Sequence, residues 1–528
     1  MTMKRRDFIK FGATGLTVAA VGVMADWPVF WRGNAAQASG LHSGHLSLDM
    51  VEATAEMVDG IPVPMWAFKL ANTTHAEMFG GARIPGPVLV ALEGDRISLT
   101  LTNHITQGGA HGFAIPGVSL TAHGNTMSQV TVPQGEEVQV EFTAPAAGTY
   151  MYLDPLNAPV NRVMGLHGAL VVLPDAIDTN TPYSGLSGSS AVQRLFDDLG
   201  SAAHFPGTPW DQARNAVWVF NVIDPVKAAL ATASSSALAP ATFLGGFLPQ
   251  YFTLNGKSGF FSAQHGHDSS AEGEGGHEHV DGLENTLSIA DGLFDNQGSI
   301  SIRGTVGQPI VIRSLNAGLM WQSPHIHGNH VYRLADANIL DGRRGIRTNL
   351  DMIDTWTLAP GDIKDVLLAY IAPPDIPANY WQRVAAGTNQ ELFPLLYPMH
   401  DHNEISNTAA GGNYPQGCAT HWQIDGPFDP TDPATGVIVI ERADLRVKTG
   451  QLFVEGQFTV PNVLLDIHAG GGSGPTVTRT VRVGADGRFS FRGRALKALA
   501  SRFITMMHHD PADPSLVHAS RTVRLRLL

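Results

Sequence analysis

The sequence predicts an all-β chain folded as a row of β-sandwiches, and three observations predict it. The composition carries 57 Gly and 33 Pro in 528 residues, with 43% hydrophobic and only 15% charged side chains, which suits a turn-rich β protein better than a helical bundle. Segments such as "DRISLTLTN" and "EEVQVEFTAP" alternate apolar and polar residues with period two, the pattern of half-buried strands. The shorter apolar runs "GTYMYL" and "GALVVLP" are bounded by Gly and Pro, the usual punctuation of strand ends. At this length the chain has room for two to four domains, each with its own core.

In chain order, residues 1–38 read as a twin-arginine signal peptide. Lys4, Arg5 and Arg6 precede "DFIKFG", the apolar run "FGATGLTVAAVGVMA" follows, and Ala36 and Ala38 supply a small-residue cleavage site. That run is short and rich in Gly and Ala for a membrane anchor, and nothing later is apolar for long enough to span a bilayer. A mature protein in the periplasm, with no membrane span, is therefore expected. Residues 46–174 form the first sandwich, and 175–213 a linker holding the helical-looking "AVQRLFDDLGSAAH". The second sandwich covers 214–425, through "NAVWVFNVI", "PIVIRSLNAG" and "DTWTLAPGDIKDVLLAYIAP". It is interrupted at 263–282 by "AQHGHDSSAEGEGGHEHVDG", whose His265, His267, His277 and His279 can pick up metal or simply be solvated.

After "DGPFDPTDPATG" the balance of charge reverses. Residues 436–528 hold 13 Lys and Arg against 7 Asp and Glu. The strands "QLFVEGQF", "RTVRVG" and "RFSFRG", with a hairpin turn at Asp486 and Gly487, predict a third, immunoglobulin-like sandwich. It is either a docking module or an internal complement to the acidic remainder.

Cys418 is the only cysteine, so an intrachain disulfide and a thiolate zinc cluster are both excluded. The net charge of −13 becomes about −16 once the leader's five basic and two acidic residues leave. Such acidity argues against a nucleic-acid partner and is compatible with handling cations.

With 22 histidines in 528 residues, chance gives about 0.9 His-x-His pairs when matches are counted along the chain. Four occur, at 265/267, 277/279, 325/327 and 400/402. The last two, in "PHIHGNH" and "MHDHNE", sit beside strand-like segments, where period two turns both histidines of a pair to one face. Together with "PGPVLVALEGDRISLTLTN", "GTYMYL", "GLHGALVVLP", "FTLNGK" and "LAPGDIKDVLL", these motifs resemble the multicopper oxidase superfamily and its two-domain relatives such as copper nitrite reductase. The resemblance covers roughly residues 60–425. It implies that the first two sandwiches are cupredoxin (plastocyanin-like) Greek-key domains with copper sites in and between them.

The departures from that pattern matter as much. In the oxidases the last histidine pair brackets the cysteine that holds blue copper, and here Asp401 stands between His400 and His402. The nitrite reductases carry a first-domain cysteine in a "YHC" run, and here "YLD" supplies Leu153 and Asp154. Gln322 and Gly109 replace two further histidines. Without a thiolate no blue-copper relay is available. The resemblance leaves His111, His325, His327, His400 and His402 as metal ligands, enough for a type 2-like copper centre, mononuclear or dinuclear. Asp401 should point to the opposite face, Cys418 should be a packed core thiol, and His123, His167 and His330 should be structural or rim residues.

These readings imply an exported copper-binding oxidoreductase without blue copper, acting on small oxygen or nitrogen species or on a metal ion. Its electrons would come from an external electron donor. The alternative is a non-catalytic copper-binding or scaffold protein on the same fold. By analogy with the two-domain relatives, a homo-trimer is conceivable for either.

Overall fold

The period-two segments form strands where the pattern puts them. "RISLTLTN" is the strand Arg96–Asn103, in which Ile97, Leu99 and Leu101 are fully buried, and it pairs antiparallel with Glu137–Thr143. A computed structural model describes residues 29–30, 43–71, 84–174, 180–201, 204–211, 214–263, 300–376, 393–427, 438–446, 448–469, 477–494, 503–509 and 517–527. Apart from Val29, Phe30 and Ala263, the expected signal peptide and the histidine-rich tract lie outside the described residues.

In the first sandwich a six-stranded sheet runs in the order Pro62–Leu70, Ser43–Glu56, Arg96–Asn103, Glu137–Thr143, Leu120–Ala122, Asn125–Met127. It faces a four-stranded sheet of Val29–Phe30, Leu89–Leu92, His167–Leu173 and Gly148–Leu153. Trp66, Phe68, Phe113 and Tyr152 fill the space between them. The second sandwich opposes a seven-stranded sheet, including Asn215–Ile223, Ile310–Asn316, Asp362–Leu368 and Val331–Asn338, to a four-stranded one. That smaller sheet has the order Ile302–Gly304, Ala419–Ile424, Leu395–Asp401, Pro324–Ile326. A third sandwich closes the chain with two four-stranded sheets around Leu452, Val454, Ile467, Ile504 and Met506.

Some strands abandon alternation, and packing explains why. His167–Leu173, Asn215–Ile223 and Ile310–Asn316 are buried at every position. Each is covered on both faces, because Val90, Met151 and Val171 of the first sandwich meet Val217, Val219 and Leu315 of the second in one apolar layer. At about 25 cal/mol per Å² of apolar surface buried, such a layer holds the two sandwiches against each other. The stretch expected as a linker is itself part of the packing. Ser190 caps the helix Ala191–Asp198 by accepting from the Gln193 amide, and Val192, Leu195 and Phe196 cover Val311, Leu334 and Leu367.

Polar groups cross the same interface. Arg162 of the first sandwich donates to the carbonyl of Ala317 in the second, at 2.9 Å. The Arg162 carbonyl in turn accepts from His167 Nδ1 at 2.7 Å, while His167 Nε2 is buried without a partner among the described residues. Burial lowers the His167 pKa to about 4. Below pH 6.5 the unfolded chain takes up a proton that the folded chain refuses until about pH 4, so stability falls as pH drops through that window. The expected loss is roughly 3 kcal/mol. His167→Gln should flatten the difference in urea midpoint between pH 7 and pH 4.5, and an unchanged slope would remove His167 as its source.

Candidate metal centre

The site is built from two antiparallel strands. Pro324–Ile326 pairs with Leu395–Asp401 so that His325 lies directly opposite His400. Strand periodicity sends Ile326, Met399 and Asp401 into the protein, where they are 1%, 0% and 0% exposed. The histidines of both pairs turn the other way. His402 continues the register through its amide, which donates to the Ser323 carbonyl at 2.9 Å.

The four rings meet at the surface of the second sandwich. Ring centroids are 4.5 Å apart for His325 and His327, 4.5 Å for His325 and His402, 5.4 Å for His325 and His400, and 5.3 Å for His400 and His402. His325, His400 and His402 each offer a ring nitrogen, all within 4.8 Å of one another. His327 Nε2 lies 3.1 Å from His400 Nε2, so it adjoins the triad through His400. Two nitrogens bound to one ion at about 2.0–2.1 Å and near a right angle are themselves about 3 Å apart. The His327–His400 spacing matches this, and the triad's nitrogens, all within 4.8 Å, would draw closer around a shared ion.

Backbone carbonyls set the tautomers. His325 Nδ1 lies 3.1 Å from the Asp354 carbonyl and 3.0 Å from Thr355 Oγ1, and His400 Nδ1 lies 3.1 Å from its neighbour's carbonyl at Asp401. A carbonyl only accepts, so both rings donate from Nδ1 and keep the Nε2 lone pair for a ligand. Burial and the nearby His327 lower the pKa of His325, and burial with His400 and His402 lowers that of His327. Such rings are held in the neutral form that binds metal.

His111 does not join them. It is 0% exposed inside the first sandwich, edge-on to Trp66, with Nδ1 2.9 Å from Asp154 Oδ2 and Nε2 3.0 Å from the Gln107 carbonyl. Both ring nitrogens are occupied by these hydrogen bonds, and His111 stands apart from the His325, His400 and His402 cluster. Asp154, also 0% exposed, accepts from Asn161 and the Leu156 amide, at 2.8 and 2.9 Å. The position that a thiolate would hold is thus a hydrogen-bonded carboxylate. Gly109 has φ +84° and a Cβ there would stand 3.0 Å from the Ala237 nitrogen, so a side chain would strain both backbones.

In the second sandwich Asp401 points away from the histidines, as expected. Its carboxylate accepts from the amides of Ser323 and Asn403, at 2.9 and 2.6 Å, and burial pushes its pKa up to about 6. These bonds clamp the two loops that flank the histidine strands. Cys418 is wholly buried in the second core, and Gln322 is buried with both amide atoms unpartnered among the described residues. His123 and His330 are exposed and His508 is buried against the Leu464 carbonyl.

Sequence reasoning missed Asp354 and Thr355. They reach His325 through an isolated bridge between residues 30 apart, and no local pattern marks them. It also missed Trp321, 60% exposed on the loop beside Asn403, whose amide donates to its carbonyl at 3.1 Å.

Residues 66–176 match the multicopper oxidase family model. The chain is 39% identical over 105 residues to the copper-containing nitrite reductase of Alcaligenes xylosoxydans xylosoxydans, covering 20% of this chain and 31% of that protein. It is 40% identical over 105 residues to the copper-containing nitrite reductase of Pseudomonas chlororaphis, covering 20% and 28%. The matched stretch spans about three-tenths of the length of these curated relatives. The blue copper oxidase of Nitrosomonas europaea aligns structurally at 18% identity, covering 72% of this chain and 86% of that one, with a TM-score of 0.44. The likeness to the multicopper oxidase family and to these nitrite reductases therefore rests on the first sandwich, about one fifth of the chain.

Proposed function

We propose that the four surface histidines hold copper in a type 2-like centre and that the protein is an exported oxidoreductase acting at that ion. The observation that carries this reading is the convergence of His325, His400 and His402 nitrogens within 4.8 Å. An all-imidazole donor set suits copper(II), which heads the divalent stability order. Bound there, copper would supply one-electron chemistry and a Lewis-acid position for a small anion or oxygen species. The chain's own residues do the rest. His325 and His400 present Nε2 in fixed orientation, while exposed His402 and His327 leave one side of the site open to solvent. Since the one cysteine is buried in the core, electrons must come from an external donor. Nitrite is the first substrate to try, by similarity to the curated relatives. The same openness suits copper storage or delivery, and turnover separates the two.

All three converging histidines lie in one chain. Copper-loaded, desalted protein is expected to give a type 2 electron paramagnetic resonance signal without intense blue absorption, and to consume nitrite or oxygen with a reduced dye as donor. A type 2 signal with no turnover would leave the storage role. No retained copper would sink both.

The hydrogen bonds to His325 Nδ1 have a separate consequence. Thr355→Val removes one of them while keeping the shape, and copper affinity should fall about 10-fold, as for other groups that orient a ligand. A competition titration with a chromophoric chelator checks this, and unchanged affinity would show that the Asp354 carbonyl suffices.

A further inference from the structure

The outer face of the third sandwich carries an arrangement that the copper centre does not use. Strand Gln451–Phe458 lies between Ile438–Arg446 and Arg488–Arg494. Its Leu452 and Val454 enter the core, so Phe453 faces outward and is only half-buried. Register places Asp444 and Arg492 directly opposite Phe453 on the two neighbouring strands. Three guanidinium groups then converge on one ring, with Arg492 at 5.0 Å, Arg446 at 5.3 Å and Arg442 at 5.6 Å from its centroid.

The three are not equivalent. Arg442 is engaged by Asp444 at 2.5 Å and by Glu455 at 3.6 Å. Arg446 and Arg492 are exposed, and among the described residues their guanidiniums have the ring and no carboxylate. A guanidinium resting on an aromatic ring keeps its in-plane N–H fork free for bidentate contact with carboxylate or phosphate. Holding it there also lowers the ordering cost of binding. Arg and aromatic side chains together are the residue types that anchor protein interfaces.

From this geometry we infer that the Phe453 face is a docking surface for an acidic peptide segment of a partner protein, with Arg446 and Arg492 as its carboxylate-binding forks. Charge favours this occupant. Residues 436–528 carry 13 basic and 7 acidic residues in a chain of net charge −13, so this domain is net basic while the remainder of the chain is net acidic. Asp444, Glu455 and Glu441 interleave with the arginines, a mixed pattern that matches individual carboxylates on a peptide and repels a continuous phosphate surface.

The test uses the full chain and a fluorescent twelve-residue glutamate-rich peptide, with a glutamine-substituted peptide as its neutral match. Anionic phosphatidylglycerol vesicles and heparin are run in parallel. The parent protein should bind the glutamate peptide, with affinity falling as salt rises. Arg446→Ala with Arg492→Ala should weaken binding at least 10-fold, while Arg482→Ala, an exposed arginine on the other sheet, should not. Arg446→Lys with Arg492→Lys keeps the charge but loses the planar fork, and should weaken binding at least threefold; this pair decides the matter if the alanine pair fails to fold. Equal binding by parent and Lys pair, equal binding of the two peptides, or binding to vesicles or heparin but not to peptide would each overturn the assignment.

Discussion

Replacing His400 and His402 together by alanine is expected to abolish the proposed tight copper binding, from about one ion per chain to the level of a desalting blank, a loss of more than about 100-fold in affinity. The reason is geometric. His400 belongs both to the triad with His325 and His402 and to the 3.1 Å pair with His327, so the double replacement leaves only His325 and His327 of the four rings. Both side chains lie on the outer face of their strand and neither enters the core, so the fold should survive, which circular dichroism would confirm. Two controls sharpen the result. His111→Gln should leave copper content unchanged while lowering stability by about 1–3 kcal/mol, since it disturbs two buried hydrogen bonds. Serine at His265, His267, His277 and His279 should remove only weakly held copper. If that serine variant alone loses the ion, the strand-borne centre is not the copper site.

The contrast between His111 and the other four shows what the sequence could convey. A His-x-His pair on a strand announces its own geometry, because period two fixes both side chains on one face. Two such pairs become a site only when their strands are neighbours, and the opposition of His325 and His400 confirms that step. His111 had no such local guarantee. Its role depends on Asp154 and Asn161, 43 and 50 residues away, and long-range partners of this kind leave no periodic trace. The same holds for Thr355 and Asp354 behind His325. The sandwiches were legible because alternation and turn residues are local. The packed state of residues 180–201 was not, because Leu195 and Phe196 find their partners on strands more than 100 residues later.

The largest effect on stability should come from Arg313→Met. Arg313 is 0% exposed in the second sandwich, where it donates to Asn215 Oδ1 at 2.9 Å, to Thr149 Oγ1 at 2.9 Å and to Asp365 Oδ2 at 3.3 Å. Asp365 also accepts from Thr149 Oγ1 at 2.6 Å and from Tyr183 at 2.8 Å. One buried carboxylate thus gathers the first sandwich through Thr149, the intervening stretch through Tyr183, and the second sandwich through Arg313. Removing the guanidinium leaves that carboxylate 2% exposed with no paired cation among the described residues, which should cost roughly 3–5 kcal/mol. Removing both charges, as Arg313→Met with Asp365→Leu, should recover at least half of the loss, because a buried pair repays little more than its own desolvation. The recovery stays incomplete because the Thr149 and Tyr183 hydroxyls lose their acceptor. Urea unfolding of the three variants measures these differences directly. A broadened or split transition in Arg313→Met would further show that this network, beyond the apolar layer, couples the two sandwiches. A midpoint within experimental error of the parent would show instead that the apolar layer alone binds them.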